Sequence, residues 1–204
     1  ILAPRLAGHA TDIEDMRHST WRDWLASVED GLNLLKGCTD QQVVMGFSMG
    51  GVLSLMAAER YDITGVITFS APCEMPPDPR IKYLPFMKAF IKTVGKGEPD
   101  WQNPEAIKDH AEYHGYPTPS ILQLKALIEA MLLDLPKVTI PALMVQSKMD
   151  HGIPAESMDT IFRLISSADK TKMWVEHSGH VVIREPDREL IFAEVKKFIK
   201  RITK

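Results

Sequence analysis

Ser48, Asp150 and His180 are the side chains of this chain whose types and order could support nucleophilic catalysis. A serine hydroxyl is a poor nucleophile at neutral pH, so it needs a base to take its proton and a carboxylate to orient that base. The order Ser, Asp, His is the one associated with a serine on a sharp strand-to-helix turn. Together the three residues predict acyl transfer through an acyl-enzyme.

Ser48 occupies a G-x-S-x-G motif between a short apolar run and a run rich in Leu, Met and Ala. In that setting the motif is typical of a turn that raises a serine hydroxyl above the edge of a sheet. We expect strained backbone at the serine, and glycine at Gly46 and Gly50 because Cβ atoms there would collide. The N–H of Met49 is the predicted oxyanion-hole donor. A glycine-rich turn that only begins a helix would show the same motif. The catalytic interpretation of Ser48 therefore depends on finding a base and a carboxylate that could act with it.

The predicted partners of the serine follow two other apolar runs. Asp150 and His180 each come shortly after a predicted strand, and the carboxyl ends of parallel strands lie along one edge of a sheet. His177 is the nearest rival to His180, which we prefer because Ser178-Gly179 can turn the chain and aim the ring back across that edge. A single Asp or His after a strand is usually a cap or surface group, so the prediction depends on all three residues together.

Apolar and β-branched runs alternate with segments of helical periodicity along most of the chain. This alternation predicts an α/β fold, with a mostly parallel sheet and helices on both faces. A capping box at Thr20–Asp23 predicts the start of one helix, whose Trp21 and Trp24 we expect in the core, while residues 5–17 are predicted as a polar loop. The predicted strands are 1–4, 43–47, 64–70, 141–147 and 172–175, and the predicted helices are 21–36, 52–60, 120–135, 158–165 and 191–202.

Residues 73–118 differ from the sequence on either side, since most of the 14 prolines fall in or beside them. Short apolar pieces at 83–87 and 89–91 carry too many apolar groups for a solvated linker. Long irregular insertions in compact domains are often lids or binding loops. We therefore predict that 1–72 and 119–204 form the α/β core and that 73–118 form a cap.

Composition narrows the class of protein. A chain of 204 residues fits one domain, and a net charge of −3 gives no reason to expect a nucleic-acid partner. Cys38 and Cys73 have no metal-ligand spacing and suggest no disulfide framework, which fits a reducing compartment, the cytoplasm. The longest apolar run is too short to span a membrane. We expect no metal and no cofactor, and the sequence does not indicate an oligomeric state.

Over nearly its whole length the chain resembles an α/β-hydrolase, and more closely the carboxylesterase and monoacylglycerol lipase group of bacilli. The resemblance implies that Ser48 is the nucleophile, His180 the acid and base, and Asp150 its orienting carboxylate. It is weakest in 73–118, where this family carries a small cap. The matching motifs are Ala3-Pro4-Arg5-Leu6 with Gly8-His9, Trp21-Arg22-Asp23-Trp24, Gly46-Phe47-Ser48-Met49-Gly50-Gly51, Thr139-Ile140-Pro141-Ala142 and Ser178-Gly179-His180-Val181.

The first strands of that family and its His-Gly loop have no counterpart in this sequence. The loop supplies the second oxyanion-hole amide, and the missing strand would lie between the predicted strands 1–4 and 43–47. We therefore expect the natural chain to be longer. Ile153 and Val181 lie next to the triad in the sequence and are predicted to line the substrate pocket.

The function expected from these residues and this resemblance is serine carboxylic-ester hydrolysis. The apolar pieces of the cap favour small-molecule esters or lipids with short to medium acyl chains, with monoacylglycerols as candidates. A thioesterase, an amidase or a C–C bond hydrolase would use the same triad. A ligand receptor that keeps the fold without catalysis is the alternative from another class.

Overall fold

A computed structural model describes the chain at residues 1–76, 78–79, 81–87 and 90–203. Its strands are β1 (Val43–Phe47), β2 (Gly65–Phe69), β3 (Thr93–Gly95), β4 (Gly115–Pro117), β5 (Ala142–Ser147) and β6 (Lys170–Val175). Its helices are α1 (Ile13–His18), α2 (Trp21–Lys36), α3 (Met49–Arg60), α4 (Leu84–Met87), α5 (Pro104–Lys108), α6 (Thr118–Asp134), α7 (Glu156–Leu164) and α8 (Arg188–Ile202).

Four parallel strands form the main sheet, in the order β1-β2-β5-β6. Successive residues of a strand point to opposite faces, so each inner strand contributes to two cores. Val66 and Met144 belong to the core shared with α2, α3, α6 and α7, whereas Ile67 and Val145 pack with residues of α8 on the other face. This arrangement confirms the predicted parallel sheet with helices on both faces, and it brings the carboxyl ends of all four strands to one edge.

Helix α2 begins where the sequence predicts. The Thr20 side chain accepts a hydrogen bond from the Asp23 N–H, and the Asp23 carboxylate accepts one from the Thr20 N–H, which completes a capping box. Trp24 is only 1% exposed and confirms its predicted place in the core. Trp21 lies at the rim of that core, partly buried, with the Arg22 guanidinium over its ring.

Two predictions near the start of the chain are wrong. Residues 1–4 form no strand, since they lie against α2, where Pro4 approaches Gly31, and a strand needs a partner with which to exchange backbone hydrogen bonds. The predicted loop 5–17 contains most of helix α1. Asp12 caps this helix by accepting a hydrogen bond from the Glu14 N–H at 2.7 Å, a local signal that the sequence carries.

The region 73–118 carries short elements only. A 3-10 turn at Ile81–Tyr83 leads into α4, and β3 pairs with β4 in a small antiparallel sheet apart from the main one. Pro77, Arg80, Lys88 and Ala89 belong to the predicted cap but lie outside the described residues. Its boundaries at 73 and 118 remain a prediction.

Helix α6 follows the predicted cap and matches the predicted helix 120–135. Leu127, Ile128 and Met131 are buried in the larger core, so its apolar stripe serves packing. In the part of the chain that the structure describes, no helix combines the length and the apolar character needed to cross a bilayer.

Candidate active site

The turn between β1 and α3 places Ser48 above the end of the sheet. Ser48 has φ 52° and ψ −119°, a left-handed conformation that a residue with a Cβ rarely adopts. Its N–H donates to the Phe69 carbonyl at 2.8 Å, and its carbonyl accepts from the Gly51 N–H at 2.9 Å. The predicted strain at the serine is confirmed, and hydrogen bonds to β2 and to the first turn of α3 hold it in place.

The predicted need for glycine is confirmed at Gly46 but not at Gly50. A Cβ on Gly46 would lie 1.9 Å from the Gly50 carbonyl oxygen and 2.5 Å from Ser54 Oγ, so Gly46 has the expected steric reason. The prediction for Gly50 is wrong, because a Cβ there would meet nothing within 4 Å. The second constrained position is Gly51, where a Cβ would lie 2.7 Å from the Ala71 Cβ. The helix packs on the strand through Gly46 and Gly51, while Gly50 points to open space.

Alanine substitutions at the two motif glycines should therefore differ. Gly46→Ala is expected to lower the free energy of unfolding by more than about 3 kcal/mol, because backbone atoms would have to move. Gly50→Ala should stay within about 1 kcal/mol of the parent, since alanine also favours a helix. Urea unfolding at neutral pH followed by circular dichroism measures both values. Equal losses in the two variants would contradict this account of the turn.

The structure brings the three sequence-predicted side chains together. His180 Nε2 lies 3.1 Å from Ser48 Oγ, and His180 Nδ1 lies 3.0 Å from Asp150 Oδ2 and 3.2 Å from Oδ1. A carboxylate can only accept, so Nδ1 carries the ring proton and the lone pair of Nε2 faces the serine hydroxyl. The ring of Phe47 packs beside the His180 ring, with 4.9 Å between the two centroids. His180 Nε2 can therefore take the proton of the Ser48 hydroxyl and later give it to another group.

Backbone groups fix the Asp150 carboxylate. Its side chain is fully buried, and Oδ1 accepts hydrogen bonds from the Gly152 N–H at 2.9 Å and the Ile153 N–H at 2.8 Å. These bonds leave Oδ2 directed at His180. The Asp150 carboxylate thus organises the first residues of the loop after β5 through these two hydrogen bonds.

His177, the rival of His180, and His9 both make their contacts away from Ser48. His177 is exposed, and its backbone N–H donates to Asp187. His9 Nδ1 lies 3.1 Å from the Ala7 carbonyl, so its ring contacts its own loop, and burial lowers its pKa. Among the histidines that the structure describes, it is His180 whose ring lies within hydrogen-bonding distance of both Ser48 and Asp150.

Two residues that support His180 were not found by sequence reasoning. The Ser70 hydroxyl donates to the His180 carbonyl at 2.9 Å, and both Asp100 carboxylate oxygens accept from the His180 N–H at 3.0 Å. Ser70 directly follows β2 and has φ 48°, so its position at a strand end was a usable signal. Asp100 lies within the predicted cap, where no pattern indicated its place.

The remaining predicted site residues are Met49, Ile153 and Val181, and each lies next to a triad residue or in its loop. Met49 is the first residue of α3, and the first N–H groups of a helix have no intrahelical acceptor. Ile153 is buried and Val181 partly buried, each beside a triad residue. Their roles in binding stay predictions.

A cavity of about 640 Å³ opens between the predicted cap and α6. Met75, Ile81, Pro85 and Leu122 are among its lining residues, which do not include a triad residue. Within the described residues, no group of three or more His, Cys, Asp or Glu side chains could hold a metal ion.

Comparison with known proteins gives several matches. A family model described as serine aminopeptidase, S33 (Hydrolase_4) matches residues 7–187. A thermostable monoacylglycerol lipase of Bacillus sp. (strain H-257) is 34% identical over 200 residues, covering 97% of this chain and 78% of the lipase. A carboxylesterase of Bacillus subtilis (strain 168) is 28% identical over 205 residues, covering 98% of this chain and 80% of the esterase.

A solved structure from work on LipS and LipT, two metagenome-derived lipolytic enzymes, superposes with a TM-score of 0.90. It is 30% identical in sequence, and the match covers 97% of this chain and 80% of that one. The similarity therefore extends over the sheet, the helices and the loops that carry the three side chains.

Proposed function

This chain belongs to the serine aminopeptidase S33 family and is a serine hydrolase with the α/β-hydrolase fold, and we propose that it hydrolyses carboxylic esters through Ser48, His180 and Asp150. The observation that carries the proposal is the hydrogen-bonded line from Ser48 Oγ through both nitrogens of His180 to the buried Asp150 carboxylate. The fold prediction made from the sequence is confirmed by the family and by the superposed structure.

In the proposed reaction, Ser48 Oγ attacks the ester carbonyl carbon while His180 Nε2 takes the hydroxyl proton. The negative charge that develops on the carbonyl oxygen is stabilised by the Met49 N–H and the N-terminus of α3. His180 then gives its proton to the alcohol oxygen, the alcohol leaves and Ser48 is acylated. A water molecule repeats the cycle, its proton passing through His180 back to Ser48, and the carboxylic acid is released.

The proposed substrates are esters of short to medium acyl chains, with monoacylglycerols among them. Relatives named monoacylglycerol lipase and carboxylesterase support this class. Tyr83, Phe86 and Phe90 are exposed apolar side chains in the predicted cap, which suits a substrate with an apolar tail. We further propose that Ile153 and Val181 contact the bound ester.

The location that we propose for the protein is the cytoplasm. Cys38 and Cys73 are both free thiols, which fits a reducing compartment.

Amide hydrolysis is the second candidate, because the matching family model is described as an aminopeptidase. Both reactions would use the same nucleophile and base, so the site geometry does not separate them. The leaving group separates ester hydrolysis from amide hydrolysis, since an amine must be protonated before it leaves to a greater extent than an alcohol.

A panel of p-nitrophenyl esters from acetate to palmitate, with an octanoyl thioester and an octanoyl anilide, tests the proposal. We expect the highest kcat/KM among the short and medium esters, a lower value for palmitate and the lowest for the anilide. A fluorophosphonate probe should label the protein, and peptide mass spectrometry should place the label on Ser48. Faster anilide than ester turnover would favour the amidase, and an unlabelled, inactive protein would favour a non-catalytic ligand receptor.

A further inference from the structure

Asp100 connects the two loops that carry the partners of Ser48. Its Oδ2 accepts a hydrogen bond from the His151 N–H at 2.9 Å, and both of its carboxylate oxygens accept from the His180 N–H at 3.0 Å. His151 directly follows Asp150 in the loop after β5, and His180 lies in the loop after β6. One carboxylate therefore spans the gap between the two loops.

Gly179 allows Asp100 to approach so closely. A Cβ on Gly179 would lie 2.3 Å from the Asp100 carbonyl oxygen and 2.7 Å from Asp100 Oδ1. Any side chain at this position would push Asp100 away from the His180 N–H. The glycine before His180 is thus explained by the carboxylate that it faces, in addition to any effect on chain direction.

Residues 100–103, here called the strap, are also held by contacts that do not involve the Asp100 side chain. The Gln102 N–H donates to the Glu185 carboxylate at 3.1 and 3.2 Å, and Asn103 Nδ2 donates to the Arg184 carbonyl at 2.9 Å. Glu185 is 1% exposed, and its pKa is raised, chiefly because burial disfavours its charge. Since these contacts hold the strap against Arg184 and Glu185, removal of the Asp100 carboxylate should leave the strap in place.

The two sides of His180 are held by different parts of the fold. Ser70, at the end of β2, donates to the His180 carbonyl, whereas Asp100 in the predicted cap accepts from its N–H. Without Asp100, the N–H of His180 would lose this fixed acceptor, and the ring would be held less firmly relative to Ser48. A displacement of about 1 Å in such a site can lower the rate about 100-fold.

We propose that Asp100 is a positioning residue that holds the loops of Asp150 and His180 at their working separation, an inference that rests on the proposed function of the triad. Asp100 acts through His180 and Asp150, and it takes no part in bond making. The predicted cap thereby contributes to the reactivity of Ser48 as well as to the shape of the site.

Asp100→Ala and Asn103→Ala form the test pair. Asn103→Ala removes the hydrogen bond to the Arg184 carbonyl, four residues after His180, and the N-cap of α5, but it removes no bond to Asp150, His151 or His180, so it controls for loss of stability. For Asp100→Ala we expect kcat on the best ester to fall about 10- to 100-fold, with KM within about twofold. The rate constant for fluorophosphonate labelling should fall by a similar factor. For Asn103→Ala we expect a lower Tm, with kcat and the labelling rate constant within about twofold of the parent.

Asp100→Asn keeps the test valid should the alanine variant fail to fold. Its single amide oxygen can still accept at the Oδ2 position, so we expect a folded protein with an intermediate loss of kcat and of labelling rate. A parental labelling rate in the Asp100 variants, a change confined to KM, or equal kcat losses in Asp100→Ala and Asn103→Ala would each overturn the proposal.

The labelling assay also separates the two levels of inference. If the parent protein is labelled on Ser48 and turns over esters while Asp100 variants behave like the parent, only the positioning role fails. If the parent protein is not labelled, or if Ser48→Ala is labelled equally, the proposed function fails and the role of Asp100 with it.

Discussion

Ser48→Ala is expected to lower kcat for ester hydrolysis by about 10⁴-fold or more while the protein stays folded. The substitution removes the only atom of this residue that can form the acyl bond, and it leaves His180 and Asp150 in place. Stopped assays with the best p-nitrophenyl ester, together with fluorophosphonate labelling, measure the loss. Ser166→Ala is a suitable control, because the Ser166 hydroxyl is exposed and donates only to the Pro136 carbonyl, away from the triad.

The backbone at Ser48 makes a second variant informative. Alanine keeps a Cβ at φ 52°, so Ser48→Ala retains the strain, whereas glycine adopts this conformation without cost. Ser48→Gly should therefore be more stable than Ser48→Ala by about 1 kcal/mol, and equally inactive. Ester turnover retained in Ser48→Ala would exclude this serine as the nucleophile. Equal stability of the two variants would contradict the strain inferred from the turn.

His180→Gln and His177→Gln should separate the base from its nearest rival. We expect His180→Gln to lower kcat by about 10⁴-fold, because glutamine cannot take the Ser48 proton and give it to the leaving alcohol. The labelling rate constant should fall in parallel. His177→Gln changes an exposed side chain whose residue is tied to Asp187 through its backbone, so kcat should stay within about twofold.

The two histidine variants also distinguish a role of His180 as the base from a purely structural role of the loop after β6. Both residues follow β6, so a general disturbance of this loop would lower Tm and activity in both variants. A large loss in His177→Gln with little change in His180→Gln would show that the base has been wrongly chosen. Equal losses in the two variants would point to loop damage and leave His180 without its proposed role.

Local patterns predicted most of the main sheet and most of the long helices. Strand β1, strand β5 and the capping box before α2 depend on residues close in sequence, so short windows were sufficient to find them. The same kind of local signal was available at Asp12, where helix α1 begins, and was missed. Residues 1–4 were apolar enough for a strand, but a strand depends on a partner that local sequence does not reveal.

Local sequence patterns were sufficient to predict the strained turn at Ser48 and the parallel sheet. They also identified Ser48, Asp150 and His180 as candidates, because strand ends in a parallel sheet converge on one edge. Packing in the folded chain sets which glycines are sterically required, since a Cβ placed on Gly51 would meet Ala71, a residue that follows another strand. It also sets what holds His180, through hydrogen bonds to Ser70 and Asp100 that span 110 and 80 residues of chain. Contacts across such separations arise from packing, and no periodicity or motif within one segment encodes them.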